Sequence, residues 1–349
     1  MQLALGLEMY RGATLEVPLA LVTEAERLGF HSVWTAEAYG SDAVTPLAYL
    51  AAHTSRIKLG TAVMQVAART PTATAMAAAT VDALAGGDRF IAGLGVSGPQ
   101  VVEGWYGQPW GSPYYRLREY VDVMRQVFRR QGPVTLDGRE YQLPYSGDDG
   151  LGQGIPLKSI LHPNPDLEIF LASGGPANTA LTAEVADGWL PMGWNPESCA
   201  VYDEPLARGR AKRDPRLGEL QVFPSMTVQV TDDLESVFDA MRPLTAMYVG
   251  GMGSATNNYH RDAMARRGFP DEAARIHELW IADRRDEAQA AIPDDYFDAG
   301  GLFGSVERIR SRWESRYASA PATGYVIRTS DPETLALMAD LAGLSETAA

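Results

Sequence analysis

The chain has 349 residues, 46% hydrophobic and 21% charged, enough to bury a core without a disulfide or metal staple. Its one cysteine, Cys199, excludes an internal disulfide and fits a reducing, cytoplasmic setting. A net charge of −14 argues against nucleic acid or an anionic membrane as partner, and we expect neither a signal peptide nor a membrane span.

The first half alternates short β-branched runs with helical patterns, which predicts βαβ units and a parallel sheet. Leu3 to Glu8 reads as a strand, followed by a helix over 17–28 that ends at Gly29. Strands are expected at 31–35, 57–64 and 89–94, with helices at 43–52 and 71–84, the latter opened by Pro71. A long helix follows, with Leu117, Tyr120, Val121, Met124, Val127 and Phe128 on one face. Residues 132–165 lack a period and are rich in glycine and proline, an excursion of the kind that usually serves function. The alternation resumes with strands at 167–172, 188–191 and 219–230 and a helix at 176–186. Residues 232–300 read as a mostly helical insertion. The helix 306–318, the strand 324–328 and the helix 332–342 end the pattern. Eight strands in this order predict one α/β domain over residues 1–349, a (β/α)8 TIM barrel with insertions.

Glycine-rich turns carry the functional signal. Gly93 to Gly98 matches G-x-G-x-x-G after a strand, but it follows the fourth strand, no helical stripe starts at once, and no acidic residue ends the next strand. We therefore read it as a βα loop at the C-terminal mouth of a barrel, where bare backbone lets a flat ligand approach. Ser173-Gly174-Gly175-Pro176 also opens a helix, and its free N–H groups could hold an anion, with Thr179 in the first turn; a plain turn is the competing reading. Gly250 to Gly253, leading into Ser254 to Tyr259, reads as a hinge. Glu8, Glu37 and Asp42 stand at strand ends, where carboxylates either catalyse or cap helices. The five histidines are dispersed without ligand spacing, so no metal is expected, and no nucleophile elbow is present. Trp34, Tyr39, Trp105, Tyr106, Trp110 and Trp194 near the strand ends suit a pocket for a planar ring.

Residues 25–34 (AERLGFHSVW), Arg69-Thr70-Pro71, Asp88-Arg89-Phe90 and Ala186-Asp187-Gly188 resemble the luciferase-like flavin and deazaflavin enzymes. Residues 97–107 and 248–259 resemble the branch that depends on coenzyme F-420, an 8-hydroxy-5-deazaflavin. The resemblance implies a barrel with the cofactor across its mouth and a non-prolyl cis peptide at Ala62–Val63 behind the ring. It places ring and side chain against Gly95, Ser97, Gly98, Ser173, Gly174 and Gly175, and the phosphate near Thr179. Several relatives carry an acidic residue followed by histidine after the second strand; here the pair is Glu37-Ala38. That departure favours reduction of an activated C=C, C=N or C=O in a small organic substrate, with Glu37 and Tyr39 as proton donors. FMN with monooxygenase chemistry is the alternative, and a non-catalytic cofactor-binding barrel a second. A homodimer is left open.

Overall fold

The computed structural model describes residues 1–253 and 257–344, so Ser254 lies outside the described residues. The barrel strands are β1 (Gln2–Gly6), β2 (Ser32–Thr35), β3 (Lys58–Thr61, resuming at Met64–Gln65), β4 (Phe90–Gly95), β5 (Glu168–Ser173), β6 (Gly188–Pro191), β7 (Gln221–Val222, resuming at Ser225–Val230) and β8 (Gly324–Arg328). Each pairs in parallel with its successor, and β1 pairs with β8. The ring closes through β7. Its first half pairs with β6 and its second with β8, and the Phe223 N–H and Pro224 carbonyl bridge the two halves to Trp189 and Val326. One further strand, Gly301–Gly304, lies along β7 on the side away from β8; the sequence reading missed it because four residues rich in glycine carry no periodicity.

The outer helices are α1 (Leu19–Arg27), α2 (Thr45–Ala51), α3 (Pro71–Leu84), α4 (Pro99–Gly104), α5 (Pro113–Arg129), α6 (Pro176–Val185) and α7 (Asp203–Arg210). The α5 face expected from its spacing is buried throughout, and each such side chain contributes roughly 1.5–3 kcal/mol. After β7 come α8 (Leu234–Ala246), α9 (Tyr259–Arg266), α10 (Pro270–Ile281), α11 (Arg285–Ala290) and α12 (Asp294–Asp298). These share their own apolar cluster, in which Phe238, Phe297 and Phe303 pack ring on ring. Then α13 (Val306–Arg312) and α14 (Pro332–Ala342) complete the outer layer.

The barrel interior is filled, not hollow. Trp34, Phe170 and Phe223 sit within 6.4 Å of one another between ring centroids. Two strand glycines make the space. A Cβ on Gly60 would lie 2.5 Å from the Trp34 ring, and one on Gly188 would lie 2.3 Å from Phe170.

Several residues that carry the family resemblance hold the end of the barrel opposite its mouth. Glu26 Oε1 accepts the N–H groups of Ser55, Arg56 and Ile57 ahead of β3, at 2.6–2.9 Å. Asp82 accepts those of Arg89 and Phe90, while the Arg89 guanidinium donates to the carbonyls of Thr54, Ile57 and Ala85. Asp187 pairs with Arg125 and accepts the Ile169 N–H. These groups satisfy backbone that the strand ends leave unpaired. They are scaffold.

Candidate active site

At the mouth, β3 carries one extra residue relative to β4. Leu59 and Gly60 face Phe90 and Ile91, whereas Met64 and Gln65 face Leu94 and Gly95. Three residues, 61–63, therefore span the length of two, a β-bulge. The Ala62–Val63 peptide inside it is cis, at the bond the resemblance implied. Thr61 repairs the broken ladder with its side chain, whose hydroxyl donates to the Gly93 carbonyl at 2.8 Å and accepts the Gly93 N–H at 2.9 Å. The bulge explains the glycines opposite it. A Cβ on Gly93 would fall 1.6 Å from the Thr61 carbonyl oxygen, and one on Gly95 2.5 Å from Val63 Cγ2. Gly93 and Gly95 thus make room for neighbouring protein as well as for a ligand.

Glu37 lies just beyond β2, buried, and faces the bulge. Its carboxylate takes both arms of Arg69 at 2.7 and 2.8 Å and also the Gln65 N–H at 2.9 Å. The Gln65 side chain donates back to the Glu37 carbonyl. The pair with Glu37, first of all, holds the Arg69 guanidinium above its ordinary value. Three donors thus converge on the Glu37 carboxylate, which ties the loop after β2 to the bulge and to the start of α3. Tyr39 stays half exposed on the same loop. Sequence reading weighed Tyr106 only as a ring-pocket aromatic, yet its hydroxyl donates to the Ala38 carbonyl at 3.3 Å. Burial, then the nearby Glu37 charge, pushes that phenol up, with Arg69 opposing. Of the other strand-end carboxylates, Asp42 caps α2 through the Val44 and Thr45 N–H groups, and Glu8 pairs with Arg328 at the surface.

After β4, Ser97 and Gly98 are half-buried and lead into α4. This short helix starts immediately after the third glycine, contrary to the sequence reading. The dinucleotide alternative still fails, because the strand belongs to a closed ring. After β5, the Ser173 hydroxyl bonds Thr182 of α6 at 2.9 Å, and its carbonyl accepts the Met192 N–H and the Trp189 indole N–H. Gly174 and Gly175 precede α6. A Cβ on Gly174 would lie 3.0 Å from Arg266 Nη2, whereas one on Gly175 would meet open space. Three buried polar atoms at this end have no partner among the described residues: Gln65 Oε1, Thr179 Oγ1 and Arg266 Nε. Arg266, from α9 of the insertion, was invisible to sequence reading because it reaches the mouth only through the tertiary fold.

The remaining expectations divide. Gly250 and Gly251 are backed by Trp280, which would lie 2.4 Å from a Cβ on either, and His277 meets the Gly250 carbonyl, so this turn packs the insertion. Trp34 and Trp194 are buried in packing, the latter 6.0 Å from Tyr325. Trp110 meets Tyr259 at 6.4 Å, and Tyr248 packs against His260 at 4.5 Å with the rings tilted by 44°, so the insertion brings aromatic rings to this rim. Burial holds His260 down to about 4. A surface cleft of about 450 Å³ lies at the other end, between residues 79–88 and 161–164, away from the glycine turns. No three metal-ligating side chains come together among the described residues, and no described helix is long and apolar enough to cross a membrane.

The sequence model of the luciferase-like monooxygenases matches residues 4–324. The chain belongs to this family. It is 45% identical, over 84% of its length and 86% of the relative's, to a Mycobacterium tuberculosis protein named for the coenzyme F-420-dependent oxidoreductases. It is 30% identical, over 64% and 67%, to the F-420-dependent glucose-6-phosphate dehydrogenase of Beutenbergia cavernae. The coenzyme F-420-dependent tetrahydromethanopterin reductase of Methanopyrus kandleri shares the fold, with a TM-score of 0.73 over 97% of both chains at 23% identity.

Proposed function

We propose that this chain is a cytoplasmic oxidoreductase that binds coenzyme F-420 across the C-terminal mouth of its barrel and reduces an activated double bond in a small organic substrate. The observation that carries this reading is the cradle at the start of α6. Bare backbone at Gly174 and Gly175, the orphaned Thr179 hydroxyl and the orphaned Arg266 Nε are what an anionic cofactor side chain requires. The relative at 45% identity supports the deazaflavin over FMN.

The bulge at Ala62 and Val63 would back the ring, and the backbone of Gly95, Ser97 and Gly98 would flank it. Thr179, Arg266 and the first N–H groups of α6 would hold the phosphate. When bound, the deazaflavin supplies the hydride. The protein's part is position, dryness and a proton. The Glu37–Arg69 clamp fixes the β2 loop against the bulge. Of the phenols at this rim, Tyr39 and Tyr106 flank the loop after β2, Tyr39 on the loop itself and Tyr106 bonded to its Ala38 carbonyl. Tyr39 is open to water, which can replace it, whereas the Tyr106 O–H is held protonated by burial. We assign the proton to Tyr106, with Tyr39 beside the substrate.

Titration of the purified protein with F-420, followed by cofactor fluorescence, tests the binding, and a panel of enones, imines and ketones with reduced F-420 tests the reaction. Saturable binding in the micromolar range with turnover of one class is expected. A protein that instead purified with FMN and turned over only with oxygen would belong to the alternative reading.

A further inference from the structure

Aromatic side chains from three separate segments close a circuit of contacts at the mouth. Tyr106, just after α4, donates to the Ala38 carbonyl at 3.3 Å, which sets it against the loop that carries Tyr39. Tyr248 of the insertion comes next: burial, and then the Tyr39 phenol, pushes its hydroxyl up. His260 packs against Tyr248 at 4.5 Å. Tyr259 precedes His260 and meets Trp110 at 6.4 Å, and Trp110 follows Tyr106 on the same stretch, which closes the circuit. None of these rings is sealed in the core; all are half-buried or exposed. The helix α9 starts with Tyr259 and His260, packs Ala263 against Gly193 and brings Arg266 to Gly174. One helix thus ties the aromatic circuit to the turn that opens α6.

We propose, building on the F-420-dependent reduction above, that this circuit seats the substrate, and that the substrate is an uncharged, flat compound with an aromatic or conjugated ring. Surface is the first argument. Ring faces left open at a rim offer stacked or edge-on contact to another planar ring, and much less to a puckered sugar. Spare hydrogen-bonding groups are the second. The Tyr248 and Tyr259 hydroxyls and the His260 ring make no hydrogen bond among the described residues, although half-buried polar groups ordinarily find partners. They can orient a single carbonyl or imine, but they are too few for the many hydroxyls of a sugar. Charge is the third. Each arginine that the contacts place at this circuit among the described residues already faces a carboxylate: Arg69 with Glu37, Arg328 with Glu8, Arg261 with Asp262 and Arg116 with Glu140. The Glu103 carboxylate accepts the Trp110 N–H, and burial keeps the His260 ring neutral at ordinary pH. A phosphate or carboxylate on the substrate would leave water here without a cation to meet it, whereas an uncharged ring meets no such cost.

The experiment offers the F-420-loaded protein a set of aryl enones, aryl imines and aryl ketones, each matched with its para-carboxylate and its para-trimethylammonium counterpart. Binding is read from quenching of tryptophan fluorescence and by calorimetry, and kcat/KM is measured for whichever class turns over. Uncharged members should bind at least about tenfold more tightly than either charged counterpart, the usual worth of one unpaired charge at a partly buried site. Tyr248→Leu and Trp110→Leu should each weaken the aryl compounds about two- to tenfold, as expected for the loss of one ring contact, and Tyr248→Phe should keep most of that affinity. His260→Lys should narrow the gap between the uncharged member and its carboxylate. Melting curves serve as folding controls, and the comparison of matched compounds on the unaltered protein needs no variant. Charged members that bind as tightly as uncharged ones overturn the proposal, as does a preference for aryl compounds that survives the combined loss of the Tyr248 and Trp110 rings. Either result leaves F-420 binding and reduction standing. A protein that does not bind F-420 overturns that reading and this one together.

Discussion

Glu37 and Arg69 meet in a two-pronged ion pair at the barrel mouth, carboxylate to guanidinium at 2.7 and 2.8 Å, 32 residues apart in sequence. The pair joins the loop after β2 to the start of α3, with the Gln65 N–H as a third donor. Removing Arg69 leaves the buried Glu37 carboxylate without its counter-charge. Arg69→Met should therefore cost roughly 2–4 kcal/mol, below the upper end for a fully buried pair because Arg69 keeps some contact with water. A urea titration measures it. Glu37→Gln keeps the shape but loses the charge that grips Arg69, so it should also weaken F-420 binding by loosening the loop after β2.

Thr179 separates cofactor binding from folding. Its hydroxyl is buried and unpartnered among the described residues, so Thr179→Val removes a polar group that contributes nothing to the protein alone. Melting temperature should hold or rise slightly, while F-420 affinity should fall about tenfold or more, the magnitude of a hydrogen bond to a charged group. Unchanged affinity in a fluorescence titration would move the phosphate elsewhere.

The two glycines facing the bulge should behave differently. At Gly95 an added Cβ meets the Val63 side chain, so Gly95→Ala should cost about 1–3 kcal/mol and adding Val63→Ala should recover most of it. At Gly93 the collision is with the Thr61 backbone oxygen. No side-chain change relieves that, and Gly93→Ala should not yield folded protein. Denaturant midpoints of the two Gly95 variants, and far-UV circular dichroism of Gly93→Ala, check this.

Tyr106→Phe should bind F-420 normally yet lower kcat by about a hundredfold or more, the usual worth of a positioned proton donor. Tyr39→Phe should mainly raise KM. Steady-state kinetics on whichever substrate the panel identifies will distinguish the two.

His31 and His260 predict acid sensitivity. Burial, aided at His31 by Lys58, holds both down to about 4, below the unfolded value near 6.5. The unfolded state therefore binds the proton first, and stability present above pH ~6.5 is lost as pH falls toward 4. The loss should reach a few kcal/mol in total across that window, read from urea midpoints. His260→Phe should flatten the slope.

The barrel was legible along the chain because its strands and helices are periodic and local. A parallel strand announces itself by a short β-branched run, and α5 by its repeat of buried positions. The glycine turns after β4 and β5 were legible for the same reason, as breaks in those patterns. What could not be read locally was which partner each side chain meets. That Glu37 grips Arg69, that Ser173 meets Thr182, and that Arg266 crosses from the insertion to α6 all follow from packing between segments distant in sequence. A residue's type states what bonds it can form. Only the folded chain, by placing donors and burying charge, decides which of them it makes.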